Sequence, residues 1–237
     1  MLLLALDTAT PAVTVALLAT DGHGERVLAQ STVHDPRRHG ELLAPGIEAV
    51  LREAGATRTD LTDVVAGTGP GPFTGLRVGL VTARVLATTL GLRLHGVGTL
   101  DALAFHALQQ APRALAGGFV VATDARRKEV YWARYAGQGD ATTTPRVQRV
   151  DGPNVSRPAD VPVDGLPVVG RGAQLYPEAL LGRADAAPTG PLDPSAAALA
   201  AFTAQLLAAG ATLDDTAPQY LRRPDVTESA GRKSVLG

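Results

Sequence analysis

The sequence predicts an α/β protein made of two related lobes, each a mixed β-sheet with helices. The N-terminus carries three successive β-prone segments, and the first of them ends at Asp7. A similar run begins at Phe119, and its first segment ends at Asp124, about half of the 237 residues further on. Two such starts at half-length spacing favour two related lobes over one sheet, although strand patterns this common also coincide by chance.

The first predicted lobe, residues 1–112, alternates short apolar runs with helical patterns. Its first helix has Asp35 as a candidate cap and Pro36 as a candidate first residue, and Pro45 predicts a kink. Apolar residues then recur at helical spacing as far as Gly55. The predicted elements are strands 2–7, 13–19, 26–33, 63–68 and 93–97, and helices 36–54, 75–89 and a third that begins at Thr99.

The second predicted lobe, residues 113–237, is richer in proline. Its predicted elements are strands 119–124, 129–135, 145–150 and 166–170, and helices 175–181 and 195–209. The Ala/Leu-rich helix 195–209 follows Asp193 and Pro194 and is a candidate to pack back on the first lobe. From about residue 224 the chain is polar and basic, which predicts a flexible tail.

Charge and composition exclude several function classes. The 22 Lys and Arg residues balance 23 Asp and Glu residues, which leaves no global positive field for nucleic-acid binding by this chain alone. The absence of cysteine excludes a thiolate nucleophile and cysteine-ligated metal sites. Asp7 interrupts the N-terminal apolar run after six residues, which is too short for a signal sequence or membrane span. We therefore expect a cytoplasmic protein with no membrane association.

A glycine- and proline-rich loop precedes helix 75–89. Backbone amides in such loops can bind phosphate, but the segment lacks the lysine of a P-loop and the spacing of a dinucleotide-binding fingerprint. Two prolines also remove amide donors. These observations favour a structural turn over a nucleotide loop. The loop-motif residues are Gly69, Gly71, Phe73, Thr74 and Arg77.

Helix 75–89 carries a stripe of small residues at four-residue spacing. Glycine in a helix costs about 1 kcal/mol relative to alanine, so the stripe predicts close approach of another element. That element belongs either to the chain's own fold or to another subunit. The candidate interface residues are Leu43, Ile47 and Leu51 on helix 36–54, and Gly75, Gly79, Ala83 and Ala87 on helix 75–89.

The residues suggest no catalytic, cofactor or metal site. Asp7 and Asp124 are the best acid/base candidates because each ends a strand at a turn. Neither is followed by the glycine that lets a backbone approach phosphate, so a turn-forming role is favoured. The histidines lack metal-ligand spacing; they are His23, His34, His39, His95 and His106.

Four segments in this order resemble the TsaB (YeaZ) family. The Gly-Pro-Gly segment is the most specific of them. The matching residues are 4–10 (LALDTAT), 69–79 (GPGPFTGLRVG), 124–126 (DAR) with 129–133 (EVYWA), and 218–222 (PQYLR). Pro72 stands where the family usually has serine, which reduces the capacity of the loop for anions.

The resemblance implies an actin-like (ASKHA) two-lobed fold and a non-catalytic paralogue of TsaD. Members take part in making threonylcarbamoyladenosine at position 37 of tRNAs that read codons beginning with A. The resemblance implies that helices 36–54 and 75–89 pack against a TsaD-like catalytic subunit or a second copy of the chain. It also implies a TsaE-like ATPase in the complex, with tRNA contacted indirectly.

Two hypotheses follow for the function. The first is a scaffold that holds a TsaD-like subunit in a competent state, without a cofactor of its own. The second is an enzyme acting by itself, either an actin-fold ATPase or kinase or a metallopeptidase-like hydrolase, with Asp7 and Asp124 as its candidate residues.

Overall fold

The computed structural model describes residues 1–21, 24–138 and 146–222 of the chain. Within these residues the strands form a five-stranded and a four-stranded mixed sheet, both covered by helices. The predicted two-lobed α/β architecture is therefore confirmed. His23 and the tail predicted from about residue 224 lie outside the described residues.

The first sheet has the strand order β3-β2-β1-β4-β5, with β1–β3 antiparallel and β4 and β5 parallel to β1. The strands are β1 (Leu2–Asp7), β2 (Ala12–Asp21), β3 (Gly24–His34), β4 (Asp63–Gly67) and β5 (Arg93–Val97).

The alternation of side chains along β1 explains how this sheet is covered. Leu4 and Leu6 point to one face and join the core formed with α1 (His39–Glu53) and α2 (Phe73–Leu90). Leu3 and Ala5 point to the other face, where α3 (Thr99–Gln110) and α7 (Ala196–Ala208) pack. Helix α7, from the second half of the chain, thus packs on the first sheet.

The second sheet has the order β8-β7-β6-β9, and β6 pairs parallel with β9. Helix α3 covers one face and so contributes to the cores of both lobes. The short helices α5 and α6 cover the other face. The elements are α4 (Pro112–Leu115), β6 (Phe119–Asp124), β7 (Val130–Gln138), β8 (Arg146–Ser156), β9 (Val168–Val169), α5 (Arg171–Leu175) and α6 (Pro177–Leu181).

Several predicted boundaries differ from the structure, and strand β8 runs to Ser156 rather than to residue 150. Two of the boundaries are wrong for local reasons. Helix α1 begins at His39 rather than residue 36, because the Asp35 carboxylate accepts from the Arg37 backbone N–H and the Arg38 side chain and holds a turn there. The predicted helix 175–181 is two short helices, since Pro177 starts α6 and α5 ends at Leu175. Ser195 caps α7 as a serine at that position should.

Residues 213–222, here called the C-terminal strap, connect the lobes after α7. The Leu213 carbonyl accepts from Gly96 N–H at 2.8 Å, and Gln219 N–H donates to the Thr68 carbonyl at 2.9 Å. Arg222 then donates to the Ala125 carbonyl of the second lobe at 2.9 Å. The strap therefore runs along the end of the first sheet and finishes on the second lobe.

Among the described residues, α2 is the one helix long and apolar enough, by length and composition, to cross a membrane. Its Leu76, Leu80 and Ala83 nevertheless belong to the core of the first lobe. Because the opposite face carries Arg77 and Arg84, α2 has the pattern of an amphipathic core helix.

Candidate functional site

Asp7, the first acid/base candidate, is buried at the end of β1. Its side chain accepts hydrogen bonds from Ala9 N–H and Thr99 Oγ1, both at 2.7 Å. Burial raises its pKa from 3.8 to about 6, and the Ala9 and Thr99 bonds and the charge of His39 oppose that rise. A Cβ at Gly67 would lie 1.8 Å from Asp7 Oδ2, so the carboxylate is enclosed by the neighbouring strand.

Asp124 occupies the corresponding position at the end of β6. Its Oδ1 accepts from Arg126 N–H at 2.8 Å, two residues on, as Asp7 does from Ala9. Both carboxylates therefore form a local turn at a strand end, which is the role favoured from the sequence. Asp124 is also 3.5 Å from the Arg126 guanidinium.

The glycine-rich loop is packed tightly against the segment that follows β1. Thr99 N–H donates to the Gly69 carbonyl at 2.8 Å, and Gly69 N–H donates back to Thr99 Oγ1 at 3.1 Å. Gly69 has a φ of 93°, and a Cβ at Gly71 would lie 2.3 Å from the Ala9 carbonyl oxygen. These contacts account for both glycines without a ligand and support the structural-turn interpretation.

The small-residue stripe faces the chain's own core, and its assignment to a partner interface stays a prediction. Thr8 Oγ1 donates to the Gly75 carbonyl at 2.7 Å and accepts from Gly79 N–H at 2.9 Å. The same inward orientation applies to the other predicted interface residues. The residues buried in this way are Leu43, Ile47, Leu51, Gly75, Gly79, Ala83 and Ala87. The glycine spacing correctly predicted that another segment approaches the helix closely, and in the structure that segment is Thr8 of the same chain.

The outward face of α2 is a different set of residues. Val81 and Val85 have 59% and 57% of their surface exposed. They line a groove of about 300 Å³ between α2 and the C-terminal strap. A separate groove of about 640 Å³ runs between α1 and α2, and Ile47, Leu51 and Leu86 line it.

Phe73 and Arg77 of the loop motif dock the C-terminal strap. The Phe73 and Tyr220 rings lie 5.0 Å apart, and the Arg77 guanidinium is 3.6 Å from the Phe73 ring centroid. Arg77 Nε also donates to the Tyr220 hydroxyl at 2.7 Å. Thr74 is exposed at the start of α2. Tyr220 lies in the segment 218–222, and no local pattern in the sequence connects it with Arg77, 143 residues away.

A small cavity of about 170 Å³ lies where the lobes meet. The loop, the turn after β6 and the end of the strap form its walls. Within the part of the chain that the structure describes, no group of three or more His, Cys, Asp or Glu residues could hold a metal ion. His39 and His95 instead bond the Thr10 carbonyl and Asp63, both at 2.8 Å.

Comparisons with known proteins agree on one family. Residues 24–220 match the model described as TsaD, tRNA N6-adenosine threonylcarbamoyltransferase. The tRNA threonylcarbamoyladenosine biosynthesis protein TsaB of Escherichia coli is 39% identical over 140 residues, which cover 57% of this chain and 55% of that protein. An uncharacterized protein of Mycobacterium bovis is 43% identical over 70% of this chain and 71% of its own length.

A solved structure extends the likeness to most of the chain. YeaZ from Pseudomonas aeruginosa superposes with a TM-score of 0.73 and 28% identity, over 93% of this chain and 99% of that one. By sequence, the match spans 43% of a Mycobacterium leprae relative and about half of the E. coli protein.

Proposed function

The chain belongs to the TsaB (YeaZ) family, and from that premise we propose that it is a non-catalytic scaffold in tRNA modification. In this proposal it binds and activates a TsaD-like subunit, which transfers the threonylcarbamoyl group to adenosine 37 of tRNAs reading codons that begin with A. A TsaE-like ATPase joins through the complex, and the site of action is the cytoplasm. The isolated chain could use the same surface to form a homodimer.

The outer surface of α1 and α2 is the observation that carries this proposal. Val81 and Val85 leave an apolar ridge of α2 in water, and Ile47 and Leu51 line a groove between α1 and α2. Burying such a ridge in a groove of matching shape is the usual way in which helical surfaces associate. Ile47 and Leu51, two of the predicted interface residues, line this groove although they are largely buried in the chain.

Asp7 and the interlobe cavity support a non-catalytic role over the enzyme alternative. Asp7 is 1% exposed, and its carboxylate oxygens accept hydrogen bonds from Ala9 N–H and Thr99 Oγ1. Two cavities of about 170 Å³ each share Pro72, Phe73 and Arg126 in this region, and each is smaller than the roughly 300–1,000 Å³ typical of small-molecule sites. A nucleoside triphosphate would need both a larger cleft and an accessible strand-end carboxylate.

Introducing negative charge on the ridge tests the proposed interface. The variant Val81→Asp/Val85→Asp should retain its circular dichroism spectrum and melting temperature, because both side chains are exposed. It should bind a TsaD-like subunit at least about tenfold more weakly, since two carboxylates would be buried without partners. Reconstituted tRNA modification should fall with it. Val150→Asp, at a valine 54% exposed on β8, is the matched control.

Normal complex formation by the double variant would refute this interface. If the chain without substitutions still stimulated tRNA modification, the proposed function would stand and the partner would bind another surface. Calorimetry with Mg-ATP separates the enzyme alternative. Tight binding by the isolated chain that disappears in Asp7→Asn would favour an ATPase or kinase, whereas no binding would support the scaffold.

A further inference from the structure

The exposed valines of α2 form one wall of the groove of about 300 Å³, and the C-terminal strap forms the other. Val81 and Val85 lie on the α2 side, and Pro218 and Tyr220 lie on the strap side. Both valines and Tyr220 are exposed to solvent. Apolar surface is therefore present on both walls, which is typical of a site where another protein binds.

Two arginines of α2 line the same groove, and the strap holds both of them in place. Arg77 Nε donates to the Tyr220 hydroxyl at 2.7 Å, and its guanidinium lies 3.6 Å from the Phe73 ring centroid. Arg84 Nη2 donates to Thr216 Oγ1 at 3.1 Å. Each guanidinium has five N–H donors, and each of these two hydrogen bonds uses only one of them. The strap thus orients the arginines without neutralising their charge.

The positive charge of this groove has no acidic counterpart among the described residues that line it. The ion pairs of the described chain involve other arginines. Asp214 and Asp215 precede Thr216 on the strap, but neither lines the groove. The Asp215 carboxylate instead accepts from Ala217 N–H at 2.9 Å. Exposed cations beside an apolar surface favour a partner of opposite charge.

The spacing of these groups along α2 defines the shape of a matching partner. Arg77 and Arg84 are separated by two helical turns, which is about 10.5 Å along the axis. Val81 lies between them, and Val85 directly follows Arg84. A helix that lies along the groove can therefore place apolar residues on the valines and carboxylates, two turns apart, on the arginines.

We propose that this groove receives an amphipathic helix of the TsaD-like subunit that carries carboxylates beside its apolar strip. This inference rests on the proposed function and adds two elements to it, which are the strap as a second wall of the interface and opposite charge as a basis of recognition. Because the strap restrains Arg77 and Arg84 before binding, less side-chain freedom is lost when the carboxylates bind. Arginine is also one of the residue types that most often dominate the energy of an interface.

The probe is the purified TsaD-like subunit of the same organism. Its binding to the full chain is measured by calorimetry between about 50 and 500 mM sodium chloride. The variant Arg77→Gln/Arg84→Gln removes both charges from the groove. Arg26→Gln/Arg113→Gln removes two exposed arginines elsewhere and is the matched control. Tyr220→Phe breaks the hydrogen bond from Arg77 but keeps the charge, so it separates the loss of charge from a disturbance of the strap.

At the lowest salt concentration, the variant without the groove arginines should bind about tenfold more weakly than the chain without substitutions, and salt should change its affinity little. The control and Tyr220→Phe should keep the salt dependence of the chain without substitutions. The inference is wrong if the groove variant binds like the control, or if Tyr220→Phe loses as much affinity and salt dependence as the groove variant.

Other occupants of the groove give different results. If the groove variant loses self-association in sedimentation velocity but binds the TsaD-like subunit normally, the occupant is a second copy and the inference is wrong. Failure of this inference is distinct from failure of the proposed function. In the first case Val81→Asp/Val85→Asp still blocks the complex while the groove variant forms it, and in the second case the chain without substitutions does not bind the TsaD-like subunit.

Discussion

Replacing Asp7 with asparagine tests whether the buried carboxylate serves the architecture. Burial raises the pKa of Asp7 from 3.8 to about 6, so the folded chain holds this proton more tightly than the unfolded chain. Its contribution to the free energy of unfolding therefore falls as pH rises from below 3.8 through 6. The full fall is about 3 kcal/mol, at 1.36 kcal/mol for each pKa unit.

Asparagine keeps the shape of the site without the ionisation. Its amide oxygen can accept from Ala9 N–H, and its NH₂ can donate to Thr99 Oγ1. The stability of Asp7→Asn minus that of the unmodified chain should therefore rise with pH. About half of the 3 kcal/mol, roughly 1.5 kcal/mol, should appear between pH 5 and pH 7.5.

Urea unfolding followed by circular dichroism at pH 5, 6 and 7.5 measures this difference. Asp160→Asn, at an exposed aspartate, controls for the loss of one negative charge. Asp7→Asn should support as much tRNA modification as the chain without substitutions, because the proposal gives Asp7 no chemical step. A stability difference that is flat or falls with pH would refute the burial argument. Loss of modification with intact stability would refute the non-catalytic assignment.

Three further substitutions test the packing and the turn, each by urea unfolding. Gly79→Ala should lower the free energy of unfolding by about 1–3 kcal/mol, because a Cβ there would lie 2.6 Å from Thr8 Oγ1. Asp63→Ala should cost about 3 kcal/mol at pH 7, since it leaves His95 without its 2.8 Å partner. Burial alone would raise the pKa of Asp63, but its hydrogen bonds lower it overall, so this loss should shrink at acidic pH as the unmodified carboxyl gains a proton. Arg127 has a φ of 53°, so Arg127→Gly should relieve left-handed strain in the folded chain. Glycine also gives the unfolded chain more conformational freedom, which offsets part of this gain. The free energy of unfolding should therefore rise by about 0.5 kcal/mol. A loss of more than 1 kcal/mol in Arg127→Gly would contradict the strain argument.

Strand β1 was predictable because its burial produces a simple sequence pattern. Along β1 both faces are covered, which gives a continuous apolar run, and the run stops at the carboxylate of Asp7. Helix α7 was predictable from its Ala/Leu composition after Asp193 and Pro194, although Ser195 caps the helix rather than lying in it. The start of α1 was misplaced because Asp35 holds a turn of its own, and propensity alone does not distinguish a cap from a turn.

The candidate site was harder to predict, because its contacts join distant parts of the chain. The spacing of Gly75 and Gly79 correctly indicated a close approach, but a spacing does not identify the group that approaches. In the structure that group is Thr8, 67 and 71 residues away. The groove and the exposed Val81 follow from how α1 and α2 pack, which a single sequence does not contain.

The C-terminal strap supports the proposed role as a scaffold. Hinge closure in two-lobed proteins requires that the lobes move relative to each other. Here the strap is bonded to Thr68 in the first lobe and, through Arg222, to Ala125 and Glu129 in the second. Tyr220 adds a third attachment at Arg77 on α2. A chain fastened across its own cleft in this way is suited to holding α1 and α2 at a fixed angle for a partner, and poorly suited to opening and closing around a substrate.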